Sequence, residues 1–252
     1  MTDQNDISLN KFISSTGFCS RREADKLINE ERVSVNGKVA ETGNRVTYND
    51  VIKIDGQLLQ SKEKPIYIAF NKPAGVSSTT DRKDKCNIID FINHQKRIFP
   101  IGRLDKPSEG LIFLTNDGDI VNKILRAGNN HEKEYIVTVN KPVTADFIQR
   151  MSNGIKILDT VTQKCFVKQE SKFVFKIILT QGLNRQIRRM CEVLNYHVIK
   201  LVRIRIMNIT VKGIAPGKWR YLTPNEIETI NKLVANSIKT KEASVSKNFS
   251  KI

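Results

Sequence analysis

Two groups of residues have types and spacings that could do chemistry. The first is Gly102-Arg-Leu-Asp105, an aspartate held between the cations Arg103 and Lys106 just ahead of the apolar run Gly110-Leu-Ile-Phe-Leu-Thr115. Asp105 can be read as a capping or ion-pairing residue. The functional alternative is a carboxylate nucleophile or base, kept ionised by guanidinium groups beside it. The second is Gln181-Gly-Leu-Asn-Arg-Gln-Ile-Arg-Arg-Met190. Asn184 is suited to cap a helix over 184–194 on which Ile187, Met190, Cys191 and Leu194 share one apolar face. At 100° per residue Arg185 and Arg189 point away from that face, whereas Arg188 lies on its border. A border arginine can bury its stem and pair with a carboxylate in a cleft, and the outer two are available for phosphates. The same arginines could instead form a solvated basic face.

The cations that follow favour the phosphate reading. Lys200, Arg203, Arg205, Lys212, Lys218 and Arg220 bring the count between 185 and 220 to nine cations against one acid, Glu192. Strand alternation predicts Arg203 and Arg205 on one face. Over the whole chain, 42 Lys and Arg stand against 26 Asp and Glu, a net charge of +16. Residues 1–60 carry 8 cations and 9 acids, so the excess lies beyond them. An anionic polymer is the expected partner.

Other chemistries lack their residues. The sequence has no P-loop, no GxGxxG opening a helix, no HExxH and no nucleophile elbow. His94, His131 and His197 are scattered without metal spacing, and Cys19, Cys86, Cys165 and Cys191 form no CxxC pair. No metal site is expected, and the cysteines read as free thiols. The opening Met1–Asp6 lacks the charged-then-apolar order of a secretory signal, and no apolar run approaches the roughly 20 residues of a membrane span. A cytoplasmic protein, with no membrane partner, is expected.

The elements that must position these groups fall into three sections. Residues 7–60 read as a compact module of two short helices and a small sheet. Ser20-Arg-Arg-Glu23 fits a capping box, Ala24, Leu27 and Ile28 form the apolar stripe behind it, and Arg21, Arg22 and Lys26 lie outside the stripe. Asn36-Gly37 between Val33-Ser-Val35 and Lys38-Val39 signals a hairpin. After a polar linker, residues 64–235 mix strands (66–70, 111–115, 135–139, 173–180, 198–209) with helices (88–93, 119–126, 144–151, 184–194). A last helix opens with the capping box Thr223-Pro-Asn-Glu226. Strands and helices do not alternate regularly, so the fold class is α+β. Residues 236–252, rich in Ser, Lys and Asn, are expected to be a disordered tail.

At these residues the sequence resembles the RsuA-type branch of the ribosomal RNA pseudouridine synthases. Asn71-Lys-Pro-Ala-Gly75, Gly102-Arg-Leu-Asp105, Gly110-Leu-Ile-Phe-Leu-Thr-Asn-Asp-Gly118, Lys133-Glu-Tyr135 and Gly182-Leu-Asn-Arg-Gln-Ile-Arg-Arg-Met190 match the family's motifs in order. The opening module is similar to the ribosomal-protein S-four type RNA-binding domain, and together the similarities cover about residues 7–232. Lys123-Ile-Leu-Arg-Ala-Gly-Asn-Asn-His131 and Arg203-Ile-Arg-Ile-Met-Asn208 resemble the subgroup that acts on large-subunit, 23S, ribosomal RNA.

The resemblance implies a central mixed, mainly antiparallel β-sheet flanked by helices, with a cleft across it and no cofactor or metal. The implied reaction detaches uracil from its ribose, rotates it and rejoins it through carbon. Asp105 matches the aspartate thought to attack the sugar. Tyr135 matches the tyrosine that stacks on the flipped base and helps move a proton, and Arg188 matches the basic partner of the aspartate. Arg103 matches a position that can fill the gap left by the flipped base. Lys72 and Gly75 are expected to shape a turn, and Leu201 reads as core or as a platform under the base. The expected partner is structured ribosomal RNA, free or in a pre-ribosomal particle, bound by a monomer. A rival reading, a non-enzymatic RNA-binding or ribosome-assembly factor, requires no particular residue at Asp105 or Tyr135. A DNA-binding regulator is disfavoured, because no helix-turn-helix register carries base-reading side chains.

Overall fold

The computed structural model describes residues 6–60, 64–125, 130–235 and 237. The chain divides into two compact units. One contains the residues up to Pro65 with Gln95–Arg97, and the other contains Ile66–His94 and the chain from Ile98 onward.

In the first unit the helices Leu9–Ser15 and Arg21–Asn29 cover a four-stranded sheet ordered Lys38–Val39, Val33–Val35, Ile52–Ile54, Gln57–Leu58. The capping box forms as expected: Ser20 Oγ accepts from Glu23 N and Glu23 Oε2 accepts from Ser20 N, satisfying two of the amides a helix start leaves free. Ala24 and Ile28 turn inward onto Leu9, Ile13, Val33, Ile52 and Ile54, while Leu27 packs at the margin. Asn36-Gly37 closes the hairpin between Val33–Val35 and Lys38–Val39.

The second unit is built on one sheet of nine strands. Its main path runs Phe166–Ser171, Val174–Leu179, Lys133–Val139, Val198–Ile206, Glu109–Thr115, Tyr67–Lys72, Trp219–Tyr221, with Ile209–Thr210 paired to Val198–Ile206 and Phe99–Ile101 to Glu109–Thr115. Every pairing is antiparallel except that of Val198–Ile206 with Glu109–Thr115, which is parallel. The sheet is therefore mixed and mainly antiparallel, with helices Ile88–Ile92, Gly118–Leu125, Ala145–Asn153, Gln186–Val193 and Pro224–Val234 around it.

Alternation along the strands separates two cores. Ile112 and Leu114 join Ile68, Phe70, Val137, Phe147, Phe175 and Ile187, whereas Leu111 and Phe113 join Ala69, Ile120, Ile124, Ile230 and Val234. A strand covered on both faces reads as a continuous apolar run, and residues 110–115 do so. Among the described residues no helix is long and apolar enough to cross a membrane. The section expected to form a tail lies outside the described residues, apart from Ser237.

Several elements differ from the sequence expectation. The strand expected over 198–209 ends at Ile206, because Met207 takes a left-handed φ of 53° and the chain turns back through Ile209–Thr210. The helix expected from Asn184 begins at Gln186; Arg185 is its N-cap, at a left-handed φ of 49°, with no side-chain cap. Phe99–Ile101, Phe166–Ser171 and Trp219–Tyr221 are strands the sequence pattern did not reveal. The last two form the ends of the main strand path.

Candidate active site

A cavity of about 700 Å³ opens in the second unit, and Arg103, Asp105, Lys133, Tyr135, Arg188 and Arg203 all line it. Asp105 lies on the loop between Phe99–Ile101 and Glu109–Thr115, which is held along its length. Ser78 Oγ accepts from Leu104 N at 3.1 Å and donates to Leu104 O at 2.8 Å. Ser108 N donates to Asp105 O at 2.9 Å and Gly75 N to Lys106 O at 2.8 Å. Lys72 is fully buried, and its Nζ donates to Pro73 O and Val76 O at 2.9 and 2.8 Å, with a longer contact to Lys106 O. A buried ammonium thus ties the 73–76 turn to the aspartate loop. Burial first, then Arg203, pushes the Lys72 ammonium down to about 8 against the opposing pull of Asp105 and Glu109.

Arg188 arrives from the helix Gln186–Val193. Ile187, Met190, Cys191 and Leu194 are buried, as the helical spacing requires, and Arg188 itself is only 9% exposed. Its Nη1 donates to Val198 O at 3.2 Å and Nη2 to Ser108 Oγ at 3.2 Å, while Nε faces Asp105 Oδ2 at 4.0 Å. That Nε makes no hydrogen bond, so one buried donor stays open beside the carboxylate. Burial, then neighbouring Arg185, pushes the guanidinium downward, and Asp105 opposes this. A guanidinium remains charged under such a shift.

Tyr135 stands on Lys133–Val139, opposite Arg203 of Val198–Ile206. The guanidinium carbon of Arg203 lies 6.0 Å from the ring centroid. On its other side the Arg203 backbone lies against Gly110, where a Cβ would collide with Arg203 O and where the φ of 107° is one that side-chain-bearing residues avoid. Leu201 is buried in the core on the same side and also lines the cavity.

The other expected site residues separate into free and committed groups. Arg103 and Arg185 are exposed on the cavity rim. Arg189, expected to be free, donates from Nε to Asn184 O at 3.1 Å and from Nη2 to Asn184 Oδ1 at 3.3 Å. Asn184, expected as a cap, serves instead as an acceptor for that brace. Arg203 and Arg205 were expected on one face, but the register shifts between Glu134 and Tyr135. Glu134 opposes Arg205 and Tyr135 opposes Arg203, so Ile204 is the extra residue of a bulge. Arg203 consequently faces the cavity. Arg205 takes the opposite face, where it pairs with Glu134 at 2.7 Å and Glu132 at 2.9 Å.

Lys200 pairs with Glu109 at 3.3 Å and Arg220 with Glu226 at 2.7 Å, so part of the cation density seen in sequence is neutralised within the fold. In the first unit Arg21 and Arg22 are exposed, and Lys26 pairs with Glu30 at 3.6 Å. Sequence reasoning passed over Ser78 and Ser108, whose hydroxyls orient the aspartate loop and Arg188. It also passed over Lys133, quoted only as part of Lys133-Glu-Tyr135. Hydroxyls in loops carry no periodic signal, and their role emerges only once the chain is folded.

A carboxylate, a buried arginine and a tyrosine thus line one cavity beside a mixed sheet. The chain belongs to the RNA pseudouridylate synthase family, whose pattern matches residues 66–193, and residues 8–52 match the S4 domain. Among its relatives, the dual-specificity RNA pseudouridine synthase RluF of Escherichia coli K12 is 57% identical over 239 residues, covering 94% of this chain and 82% of that protein. Ribosomal large subunit pseudouridine synthase B of Bacillus subtilis 168 is 36% identical over 234 residues, covering 89% of this chain and 96% of that one. A crystal structure of a pseudouridylate synthase superposes with a TM-score of 0.66 at 27% identity, covering 89% of this chain and 99% of its own. The chain is thus an RNA-binding pseudouridine synthase.

Proposed function

We propose that this enzyme isomerises a specific uridine of large-subunit, 23S, ribosomal RNA, with Asp105 as the nucleophile toward the sugar of a flipped-out nucleotide. The observation that carries this reading is the Asp105–Arg188 pair at 4.0 Å at the wall of a cavity that also holds Tyr135. Arg188 keeps a charge and an open donor beside the carboxylate. Tyr135 offers a ring for stacking and a hydroxyl for proton movement, and a volume of about 700 Å³ can admit a nucleoside. Exposed Arg103 is suited to enter the gap left in the RNA, and Arg185 to meet phosphates at the rim.

The large-subunit target rests on the relatives, one of which carries it in its name. We take residues 7–60 as the RNA-binding module and 64–235 as the catalytic domain. The module has no net positive charge, so it works through the local face of Arg21, Arg22 and Lys26. We take the enzyme to act as a monomer, in the cytoplasm where ribosomal RNA is found. The reaction as written needs no metal or cofactor.

The test is a map of pseudouridines in 23S ribosomal RNA from cells with and without the gene. One large-subunit position should lose its modification and regain it on complementation. An unchanged map would remove this target.

A further inference from the structure

On the floor of the same cavity lie two buried cations that the reaction above does not use. Lys133 and Arg203 are 7% and 4% exposed and sit on adjacent strands, on the face that carries Tyr135. The Lys133 Nζ donates to one backbone carbonyl, His131 O, at 3.1 Å. Arg203, which lines the cavity, donates from Nε to Leu111 O at 2.6 Å, while its buried Nη2 has no hydrogen-bond partner. No carboxylate pairs with either among the described residues. The cavity's three carboxylates are engaged elsewhere: Asp105 faces Arg188, Asp84 accepts from Cys86 N and Asp81 accepts from Lys83 N.

Two like charges buried together without a counter-charge destabilise the empty protein. Burial, then Arg203, pushes the Lys133 ammonium down to about 8, the direction expected of a cation awaiting an anion. A uracil carbonyl could occupy the free Arg203 donor but would leave the two charges uncompensated. A phosphodiester offers an oxygen to that donor and sets one negative charge, shared over two oxygens, against the pair.

We propose that Lys133 and Arg203 form an anion subsite beneath Tyr135 that takes one phosphodiester of the substrate RNA, fixing the backbone of the flipped nucleotide relative to Asp105. This rests on the RNA-isomerase reading above and adds the group by which the backbone is gripped. Lys133 and Arg203 act here as binding residues, with Arg203 also placed to hold the Tyr135 ring.

The experiment is a salt titration of binding to a 23S ribosomal RNA fragment by the wild type, Lys133→Met, Lys133→Arg and Arg203→Gln, with thermal unfolding of each protein alone. A lost phosphate contact flattens the slope of log K against log salt by about 0.7 to 1 unit. Lys133→Met and Arg203→Gln should each show that flattening, and Lys133→Arg should keep the wild-type slope. Lys133→Met should also melt at or above the wild-type temperature at neutral pH, since it removes a buried unpaired charge. A residue whose role is only structural would lower the melting temperature and leave the slope unchanged, and that pair of results overturns the proposal. Should Arg203→Gln fail to fold, Lys133→Met decides alone.

Inorganic phosphate, added to the RNA-free proteins, separates the sources. Protection of the wild type but not of Lys133→Met, with no change of slope, would mean a small-anion site and would also overturn the proposal. Isomerisation measured on the same preparations keeps the two readings apart. A wild type that isomerises, with variants of unchanged slope, sinks the subsite alone; a wild type that does not isomerise sinks the parent reading.

Discussion

Arg203 and Arg205 lie two residues apart on one strand and have opposite fates. Arg203 faces the cavity, buried, with an open donor and no acid partner among the described residues. Arg205 faces away and is held by Glu134 and Glu132, in a network that Lys176 joins through Glu134 and Glu170. One face of the central strands thus has cations in excess, while the other neutralises its own. The difference is made by the bulge at Ile204, and it teaches that pairing decides what a basic residue can do. Net charge of +16 is a property of the chain, whereas readiness for an anion is a property of a few positions.

Arg188→Ala should lower single-turnover isomerisation by on the order of a hundredfold or more, with RNA binding largely kept, as expected for loss of a charge placed beside the reacting carboxylate. A rate within a few-fold of wild type would place Arg188 outside the chemistry.

On the opposite face, Arg205→Gln should leave RNA affinity and its salt slope unchanged while costing about 1 kcal/mol of stability, read by chemical denaturation. A flattened slope would show that the neutralised face also meets RNA, and the contrast would collapse.

pH supplies a third handle. The Lys133 ammonium is lowered from 10.5 to about 8 in the folded protein, so between those values the unfolded chain binds the extra proton and stability gains with rising pH. Its cost is fully present below about pH 8 and fades toward 10.5. The stability advantage of Lys133→Met over wild type should therefore shrink across that window. Comparing the two proteins at each pH cancels the opposing contribution of Cys191, whose thiol burial pushes up to about 12. An advantage independent of pH would contradict the burial of an uncompensated charge.

The smallest effect concerns the rim. Arg185→Ala should flatten the salt slope by about 0.7 to 1 unit, and Arg189→Ala by less, because Arg189 is occupied in bracing Asn184. Equal effects would mean that the brace opens when RNA binds.

Much of this arrangement was legible before folding. Period-3.6 spacing put Arg188 on a cleft border, the apolar run after Gly110 marked a strand, and the capping boxes at Ser20 and Thr223 fixed two helix starts. These signals are local, and the fold preserves them. The failures were of longer range. Alternation assigns Arg203 and Arg205 to one face unless a bulge intervenes, and a bulge depends on the partner strand. Asn184 is a good capping type, yet the left-handed turn at Arg185 moved the helix start past it. Phe166–Ser171 is one end of the sheet, mostly exposed and polar, so it carries no apolar period to detect. The burial of Lys133 had no signature at all, since a lysine in a strand reads as a solvent-facing residue until its neighbours are known.

The proposed division of labour has Asp105 performing the chemistry while the surrounding cations hold the RNA. Its most direct test is single-turnover conversion of uridine in a 23S ribosomal RNA fragment by Asp105→Asn, with affinity measured on the same samples. The account predicts a fall in conversion on the order of 10³-fold or more, equivalent to ~4 kcal/mol of transition-state stabilisation, at near-normal affinity. Conversion at a rate close to wild type would contradict it.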